Sequence, residues 1–394
     1  MAERNVVLGV TGSIAAYKAV DLASKLTQAG VAVHTVMTES ATKLVGPASF
    51  RAITGLPVSS DLFELSNPFA IEHVSLADRA DLLLIAPATA NVIAKLETGI
   101  ADDLLTCTAL ATRAPILVAP AMHTAMWENP ATQANVQTLR SRGVSFVGPV
   151  EGRLASGGYG AGRFAPVSEI VGETLRNLGR TGDLAGVRIV VTAGGTREPL
   201  DPVRFLGNRS SGKMGFALAE AARDRGADVQ LVVGPTQLPV PAGIRTICVE
   251  TAAEMLDAVQ VACDAADVLI MAAAVADYTP AAQVASKMKK TSDPLTIDLA
   301  RTEDILGAVE GPSIRVGFAA ETEDLLENAR RKLVSKRLDL IVANRVAGPN
   351  TPFGSDENEA VLIESDGEEV LPRMAKRELA EHVLDRIAPL LAHR

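Results

Sequence analysis

Apolar residues in this chain come as short runs separated by segments of helical spacing. Val6–Val10 is the first run; it leads into Gly12-Ser13, after which Ile14 to Gln28 repeats with a helical period, Gly30 stops the helix, and Val31–Met37 is a second run. Strand, glycine loop, helix and strand in this order predict the opening of a parallel sheet. Further runs at Ala80–Ala86, Ile116–Ala119 and Val144–Gly148 read as strands, with helical composition at Ala90–Glu97 and Asp102–Thr112 between them. This half ends in a glycine-rich stretch, Gly152 to Gly162, and a helix near Val167–Leu178.

A polar linker, Gly179-Arg180-Thr181-Gly182-Asp183, precedes a second beginning. Val187–Thr192 is again an apolar run that meets a glycine turn, Gly194-Gly195. After a long excursion, Ser210–Arg225 reads as a helix stopped by Gly226, and Asp228–Val233 as the next strand. Strands are also expected at Val268–Ala272, Ile314–Phe318, Asp339–Val342 and Val361–Glu364. The pattern predicts an α/β chain of two doubly wound, mostly parallel-sheet domains, residues 1–180 and 181–394.

Composition narrows the class. Hydrophobic residues are 47% of the chain and aromatics only 3%, which suits aliphatic strands buried between helices better than a β-sandwich. The net charge of −9 leaves no overall basic footprint for nucleic acid, so an anionic ligand has to be held by local clusters. Cys107, Cys248 and Cys263 are too widely spaced for a disulfide or zinc framework. The start, MAERNVVLGV, lacks the apolar core of a signal peptide, and no run of about 18 uncharged apolar residues suggests a membrane span. A cytoplasmic protein is expected.

Neither glycine loop is a complete fingerprint. Gly9-Val10-Thr11-Gly12-Ser13-Ile14 is not GxGxxG and has no proper acidic partner about 20 residues on, which argues against a nicotinamide cofactor. A glycine pair after a strand is often tight-turn geometry alone. The functional reading is phosphate bound at a helix N-terminus, with Ser13, Thr38 and Ser40 adding hydroxyls at the same sheet edge.

Longer motifs carry more. Gly12 to Lys18 (GSIAAYK), Ala86 to Asn91 (APATAN) and Pro120 to Trp127 (PAMHTAMW) resemble the signatures of the flavin-dependent cysteine decarboxylases. Thr192 to Pro199 (TAGGTREP), Asp201 to Arg204 (DPVR), Asn208 to Lys213 (NRSSGK) and Ala273 to Tyr278 (AAVADY) resemble phosphopantothenate–cysteine ligase. Both sets in this order, over nearly the whole chain, resemble the bifunctional bacterial family in which the two are fused. The resemblance implies a flavodoxin-like flavoprotein domain followed by a Rossmann-like ligase domain. It implies 4′-phosphopantothenate, cysteine and CTP as substrates, and FMN and Mg2+ as cofactors. Homo-oligomers are implied too: trimeric decarboxylase assemblies, paired ligase domains, and shells as large as a dodecamer.

In the decarboxylase half the resemblance places Gly12, Ser13, Thr38 and Ser40 on the FMN phosphate or ribityl chain, and Thr89, Ala90 and Asn91 along the flavin. Cleaving a carboxylate from a cysteine amide needs an electron sink, which the family obtains by letting the flavin oxidise the thiol to a thioaldehyde. His73 falls at the family's essential histidine, suited to thiol deprotonation or substrate orientation. Met126 and His123 are assigned to substrate; His123 stands where the family commonly has asparagine, and a ring N–H can replace an amide N–H toward a carboxylate. Ser156 occupies the position of the family's proton-donating cysteine. A serine is far less acidic than a thiol, so the donor is open among Ser156, Tyr159 and His123. Without a catalytic role this half would be a flavoprotein binding module, since the fold has non-enzymatic relatives that bind protein phosphatases.

In the ligase half, cations cluster at Lys287, Lys289 and Lys290 and again from Arg330 to Arg337, where Lys332 and Lys336 share one helix face. A solvated surface is the plainer reading of such runs. By resemblance Lys287, Lys332 and Lys336 bind the triphosphate; Met271, Ala272, Ala273, Glu303, Asp304, Ile305, Leu306 and Phe318 line the nucleotide; and Asp277 serves the ribose or a metal ion. Arg204 and Asn208 would stabilise the acyl-cytidylate at a bound carboxylate. Ser286–Lys290 is expected to be a mobile lid.

Overall fold

The structure is a computed structural model that describes residues 4–63, 72–153, 155, 157–289, 295–321, 323–345 and 354–392. It divides into two compact units, Met1–Leu178 and Gly179–Arg394.

In the first unit the strands β1 (Arg4–Val10), β2 (Val31–Met37), β3 (Val58–Ser59), β4 (Leu82–Ala88), β5 (Ile116–Pro120) and β6 (Ser145–Phe146) form one sheet. They lie in the order β3-β2-β1-β4-β5-β6 and every pairing is parallel. Side chains alternate between the two faces. Val6, Leu8 and Val10 of β1 join Leu22 and Leu26 of the Ala16–Gln28 helix and Ile170 of the Val167–Leu178 helix. Val7 turns to the other face, with Ile93, Leu104 and Val136 from three further helices. Because both faces are covered, the central strands read as unbroken apolar runs. Each large aliphatic side chain buried this way stabilises the unit by about 1.5–3 kcal/mol. The chain reverses its winding direction between β1 and β4, so a crevice opens at their carboxyl ends. Out of the glycine-rich stretch comes an antiparallel hairpin of β7 (Val150–Arg153) and β8 (Tyr159–Arg163).

The second unit contains β9 (Arg188–Ala193), β10 (Arg197–Pro199), β11 (Phe205–Gly207), β12 (Asp228–Val233), β13 (Arg245–Cys248) and β14 (Val268–Met271). It continues with β15 (Tyr278–Pro280), β16 (Leu299–Arg301), β17 (Ile314–Glu321), β18 (Leu340–Arg345), β19 (Glu357–Ile363) and β20 (Glu368–Ala375). The main sheet has the order β13-β12-β9-β14-β17-β18-β19-β20. Its first six strands are parallel, and β19 is antiparallel to both neighbours, so β20 again runs in the direction of β18. The helices Lys213–Asp224 and Lys376–Ala392 cover one face, and Ala252–Cys263 and Leu325–Ser335 the other. The switch point lies between β9 and β14.

The excursion after Gly194-Gly195 is the hairpin β10-β11. The following helix begins at Lys213 rather than at Ser210, because the Ser210 hydroxyl accepts the Gly212 N–H (3.3 Å) and holds Ser210–Gly212 in a turn. Among the described residues, no helix is long and apolar enough to cross a membrane.

Candidate active sites

At the carboxyl edge of the first sheet, three loops are sewn together by hydroxyls. Thr11 is fully buried; its Oγ1 donates to the Pro87 carbonyl (2.7 Å) and accepts the Thr89 N–H (3.1 Å). The neighbouring Ser13 hydroxyl donates to the Ala121 carbonyl (3.0 Å). These bonds draw the loops after β1, β4 and β5 to one place. Gly12 is required there because a Cβ on it would stand 2.4 Å from Cβ of Ser40. Thr38 and Thr89 each cap a helix, accepting the N–H of Ala41 and of Val92 (both 3.3 Å). Among the described residues, the N–H groups of Gly12, Ile14, Ala90 and Asn91 have no backbone or side-chain acceptor at this edge. Unpaired amides beside helix starts suit a phosphate or another anionic acceptor. Gly12, Ser13, Thr38, Ser40, Thr89, Ala90 and Asn91 are therefore brought to one edge.

His73 is the second residue of the Glu72–Arg79 helix. The Ser59 hydroxyl at the end of β3 donates to Glu72 (3.0 Å), while the Asp81 N–H bonds to Asn5 at the start of β1 (2.9 Å). The helix thus runs back from the carboxyl edge, leaving His73 on the same side as Gly12. His123 caps the Thr124–Trp127 helix, and its Nδ1 accepts the Ala125 N–H (3.2 Å). A ring nitrogen that accepts carries no proton, so Nε2–H is the donor His123 offers. The Met122 N–H donates to Gly162 of β8 (2.9 Å), so the hairpin is anchored beside His123. Met126 is half exposed and Tyr159 more so. Ser156 lies outside the described residues.

In the second unit a cleft of about 1100 Å³ opens at the carboxyl ends of β9 and β14. Met271, Ala272, Ala273 and Asp277 line the segment that leaves β14. The Ala273 N–H donates to the buried Thr192 hydroxyl (3.1 Å), the Ala274 N–H to the Gly194 carbonyl (2.8 Å) and the Ala276 N–H to the Thr196 hydroxyl (2.9 Å). Gly194 has φ 79°, and a Cβ on it would lie 2.7 Å from the Gly234 carbonyl oxygen, so only glycine fits this turn. Asn208 reaches in from after β11, its Nδ2 donating to the Val275 carbonyl (2.8 Å).

One wall carries Glu303, Asp304, Ile305, Leu306, Phe318, Lys332 and Lys336. The Lys332 ammonium donates to the Phe318 carbonyl (2.8 Å), and Lys336 pairs with Asp304. Burial pushes the Lys332 ammonium below the ordinary lysine range; Glu321, Asp277 and Asp304 pull it back up, and Lys336 adds to the depression. The opposite wall is the start of the Lys213–Asp224 helix, together with Asn344, Asn358 and Lys376. These four polar residues were not singled out as site residues from the sequence. Lys213 could have been, because it closes the NRSSGK motif; the others lie more than a hundred residues downstream, in strands and a helix without a local signal.

Two expected members do not line this cleft. Arg204 is held away by Asp201, which accepts the N–H of Val203 (2.8 Å) and of Arg204 (2.9 Å) on Oδ1, while the Arg204 guanidinium donates to the Met288 carbonyl (3.3 Å). The Met288 N–H donates to the other Asp201 oxygen (3.1 Å). Burial pushes the Asp201 carboxyl up, but those N–H donors and the Arg204 charge outweigh it and hold the carboxyl below its usual range. Lys287 therefore sits on a segment tied at Met288 to the Asp201–Arg204 turn, outside the cleft wall, and Lys290 lies outside the described residues.

Comparison with known proteins fits this two-part geometry. A family described as Flavoprotein matches residues 1–179, and one described as DNA/pantothenate metabolism flavoprotein C-terminal domain matches residues 184–391. The coenzyme A biosynthesis bifunctional protein of Bacillus subtilis (strain 168) is 47% identical over 394 residues, covering 98% of this chain and 97% of the relative. The one from Mycolicibacterium smegmatis is 47% identical over 410 residues, covering 99% and 98%. A crystal structure of the C-terminal domain of such a protein is 40% identical, with a TM-score of 0.47, covering 54% of this chain and all of that one. Fold and matches define a flavoprotein unit joined to a pantothenate-metabolism unit. The chain belongs to the family of coenzyme A biosynthesis bifunctional proteins, enzymes that join a decarboxylase and a ligase in one polypeptide.

Proposed function

We propose that residues 181–394 couple cysteine to 4′-phosphopantothenate at the expense of CTP, through an acyl-cytidylate, and that residues 1–180 decarboxylate the product to 4′-phosphopantetheine with FMN. The observation that carries this reading is the convergence of Asn208, Asp277, Lys332 and Lys336 on one cleft at a sheet switch point. An acyl-nucleotide step needs cations for phosphate, an amide aimed at the carbonyl and α-phosphate, and small residues that let the nucleotide approach the backbone. Lys332 and Lys336 supply the first, Asn208 the second, and Ala272 and Ala273 the third. A triphosphate entering beside Lys332 returns to its ammonium the favourable field that burial removes. Among the described residues no group of three or more His, Cys, Asp or Glu could hold a metal ion. Mg2+ would arrive on the CTP phosphates, with Asp277 the carboxylate offered to it. Arg204 and Lys287 act on the same reaction only if their segment swings to the cleft.

In the first unit the unpaired amides of Gly12 and Ile14, beside Ser13 and the hydroxyls of Thr38 and Ser40, fit the FMN phosphate and ribityl chain, and Thr89, Ala90 and Asn91 fit the flavin edge. FMN supplies a reversible two-electron oxidation of the substrate thiol, which gives the departing carboxylate an electron sink. His73 holds the thiol proton, His123 offers Nε2–H to the substrate carboxylate, and Ser156 or Tyr159 returns a proton to the product. The enzyme works in the cytoplasm, as trimers of the first domain and pairs of the second. The test is incubation with 4′-phosphopantothenate and CTP, without cysteine. Pyrophosphate and an acyl-cytidylate mass are expected; absence of both with CTP, or pyrophosphate and an acyl-adenylate formed only when ATP replaces CTP, overturns the assignment.

A further inference from the structure

The hairpin β10-β11 delivers Asn208 to the cleft, yet its strands have no apolar anchor. Of their six residues only Glu198 is buried, at 3% exposed. A buried carboxylate is costly unless its charge is met. The hairpin's own cations are turned elsewhere: Arg197 lies over the Phe205 ring (4.6 Å), and Arg204 is engaged with Asp201 and Met288. Glu198 is met instead by a helix start. Its Oε1 accepts the Ala252 N–H (2.9 Å) in the first turn of the Ala252–Cys263 helix, where the helix dipole favours negative charge. That helix does not need Glu198 as a cap. Thr251 and Glu254 already form a complete capping box, and Glu254 also accepts the Glu250 N–H (2.6 Å). The bond therefore serves the hairpin rather than the helix.

The strand pairing carries this anchor to the cleft. Glu198 stands opposite Leu206, and Asn208 follows two residues later. The Arg197 N–H donates to the Glu250 carbonyl (2.8 Å), a second tie between the same strand and the loop before the helix. Close backbone contacts then pass the position on. A Cβ on Gly207 would stand 2.6 Å from the Thr196 carbonyl oxygen, and one on Gly195 2.9 Å from that of Asn208. A displaced hairpin therefore moves Asn208 with it. We propose that Glu198 is a positioning residue for the ligase reaction: pinned to the Ala252–Cys263 helix, it sets the depth at which the hairpin presents the Asn208 amide to the carbonyl and the α-phosphate. This rests on the ligase reading above. Glu198 does not line the cleft, so it acts through Asn208 and not on the substrate.

The test uses the full-length protein with Glu198→Leu, which removes the acceptor while filling the space, and Glu198→Gln, which keeps an acceptor oxygen. Glu198→Leu is expected to lower kcat for CTP-dependent amide formation at least about tenfold, as a misplaced donor implies, with KM for CTP changed by less than about twofold. Glu198→Gln retains most of the wild-type rate. Added to Asn208→Ala, Glu198→Leu should cost less than about a further twofold, because a group that acts through Asn208 then has nothing to position. The full loss repeated in that background, or a wild-type kcat in Glu198→Leu, overturns the proposal. Should Glu198→Leu not fold, Glu198→Asp, which keeps the charge but falls short of Ala252, takes its place with the same expectations. If the wild-type protein forms no pyrophosphate from CTP and 4′-phosphopantothenate, it is the ligase reading that fails, and trypsin decides the anchor alone. Cleavage after Arg204, in the turn of the hairpin, should be at least about tenfold faster in Glu198→Leu, as loss of a charge-assisted hydrogen bond implies. Equal cleavage rates overturn the anchor.

Discussion

Replacing Thr11 by valine tests whether the hydroxyl stitches at the first sheet edge hold the flavoprotein unit together. The side chain is fully buried, and valine keeps its shape while removing Oγ1. Two bonds disappear, to the buried Pro87 carbonyl at 2.7 Å and from the partly buried Thr89 N–H at 3.1 Å. Leaving a buried donor or acceptor unpaired costs roughly 1–3 kcal/mol each. With Thr89 only partly buried, the sum is about 2–4 kcal/mol. For a urea slope of about 2 kcal/mol/M the midpoint should fall by about 1–2 M. The chain has a single tryptophan, Trp127, in the first unit, so its fluorescence follows this unit without signal from the other. Thr11→Ser, which keeps the hydroxyl, should recover most of the loss. A valine variant that unfolds within about 0.3 M of wild type would show that these bonds do not organise the edge.

His73→Asn should leave FMN bound and pyrophosphate release intact but stop CO2 evolution; decarboxylation at the wild-type rate removes His73 from the reaction. Gly194→Ala forces a side chain into φ 79° against the Gly234 carbonyl and should destabilise the second unit by more than about 2 kcal/mol; an unchanged thermal transition by circular dichroism contradicts this. Lys332→Met bears on pH. Burial lowers the native ammonium's pKa below 10.5, so the unfolded chain binds the extra proton between the two values, and stability from this group rises with pH through that window. The variant's advantage over wild type in urea should be constant at neutral pH and shrink toward pH 10.5; an advantage that grows with pH refutes the burial argument.

What the sequence makes legible is whatever local apolar pattern encodes. The runs that became β2 and β12, and the Val167–Leu178 helix, have the bounds their residues suggest, because unbroken aliphatic stretches between glycine stops admit few alternatives. The short hairpins β10-β11 and β15-β16 are invisible, since strands of three residues with exposed positions leave no periodicity to read. The cleft shows the same division. Asn208 and Asp277 stand in motifs and Lys332 and Lys336 in a cation cluster, and the fold brings all four to one cleft. Arg204, in the DPVR motif, and Lys287, in the other cation cluster, are turned elsewhere by Asp201, a buried carboxylate whose hydrogen bonds no spacing rule reveals. Lys376 and Asn358 reach the site only because β19 and β20 reverse direction twice, which is a property of the sheet and not of any segment.

The central claim is that one polypeptide performs ligation and decarboxylation at two separate sites. The most direct measurement supplies the purified full-length protein with 4′-phosphopantothenate, CTP, Mg2+ and cysteine labelled at its carboxyl carbon, and counts products by mass spectrometry and trapped label. One pyrophosphate, one labelled CO2 and one 4′-phosphopantetheine per cysteine consumed is the predicted result. Pyrophosphate with the label retained in 4′-phosphopantothenoylcysteine would contradict the decarboxylase assignment, and label retained in free cysteine would contradict the ligase assignment.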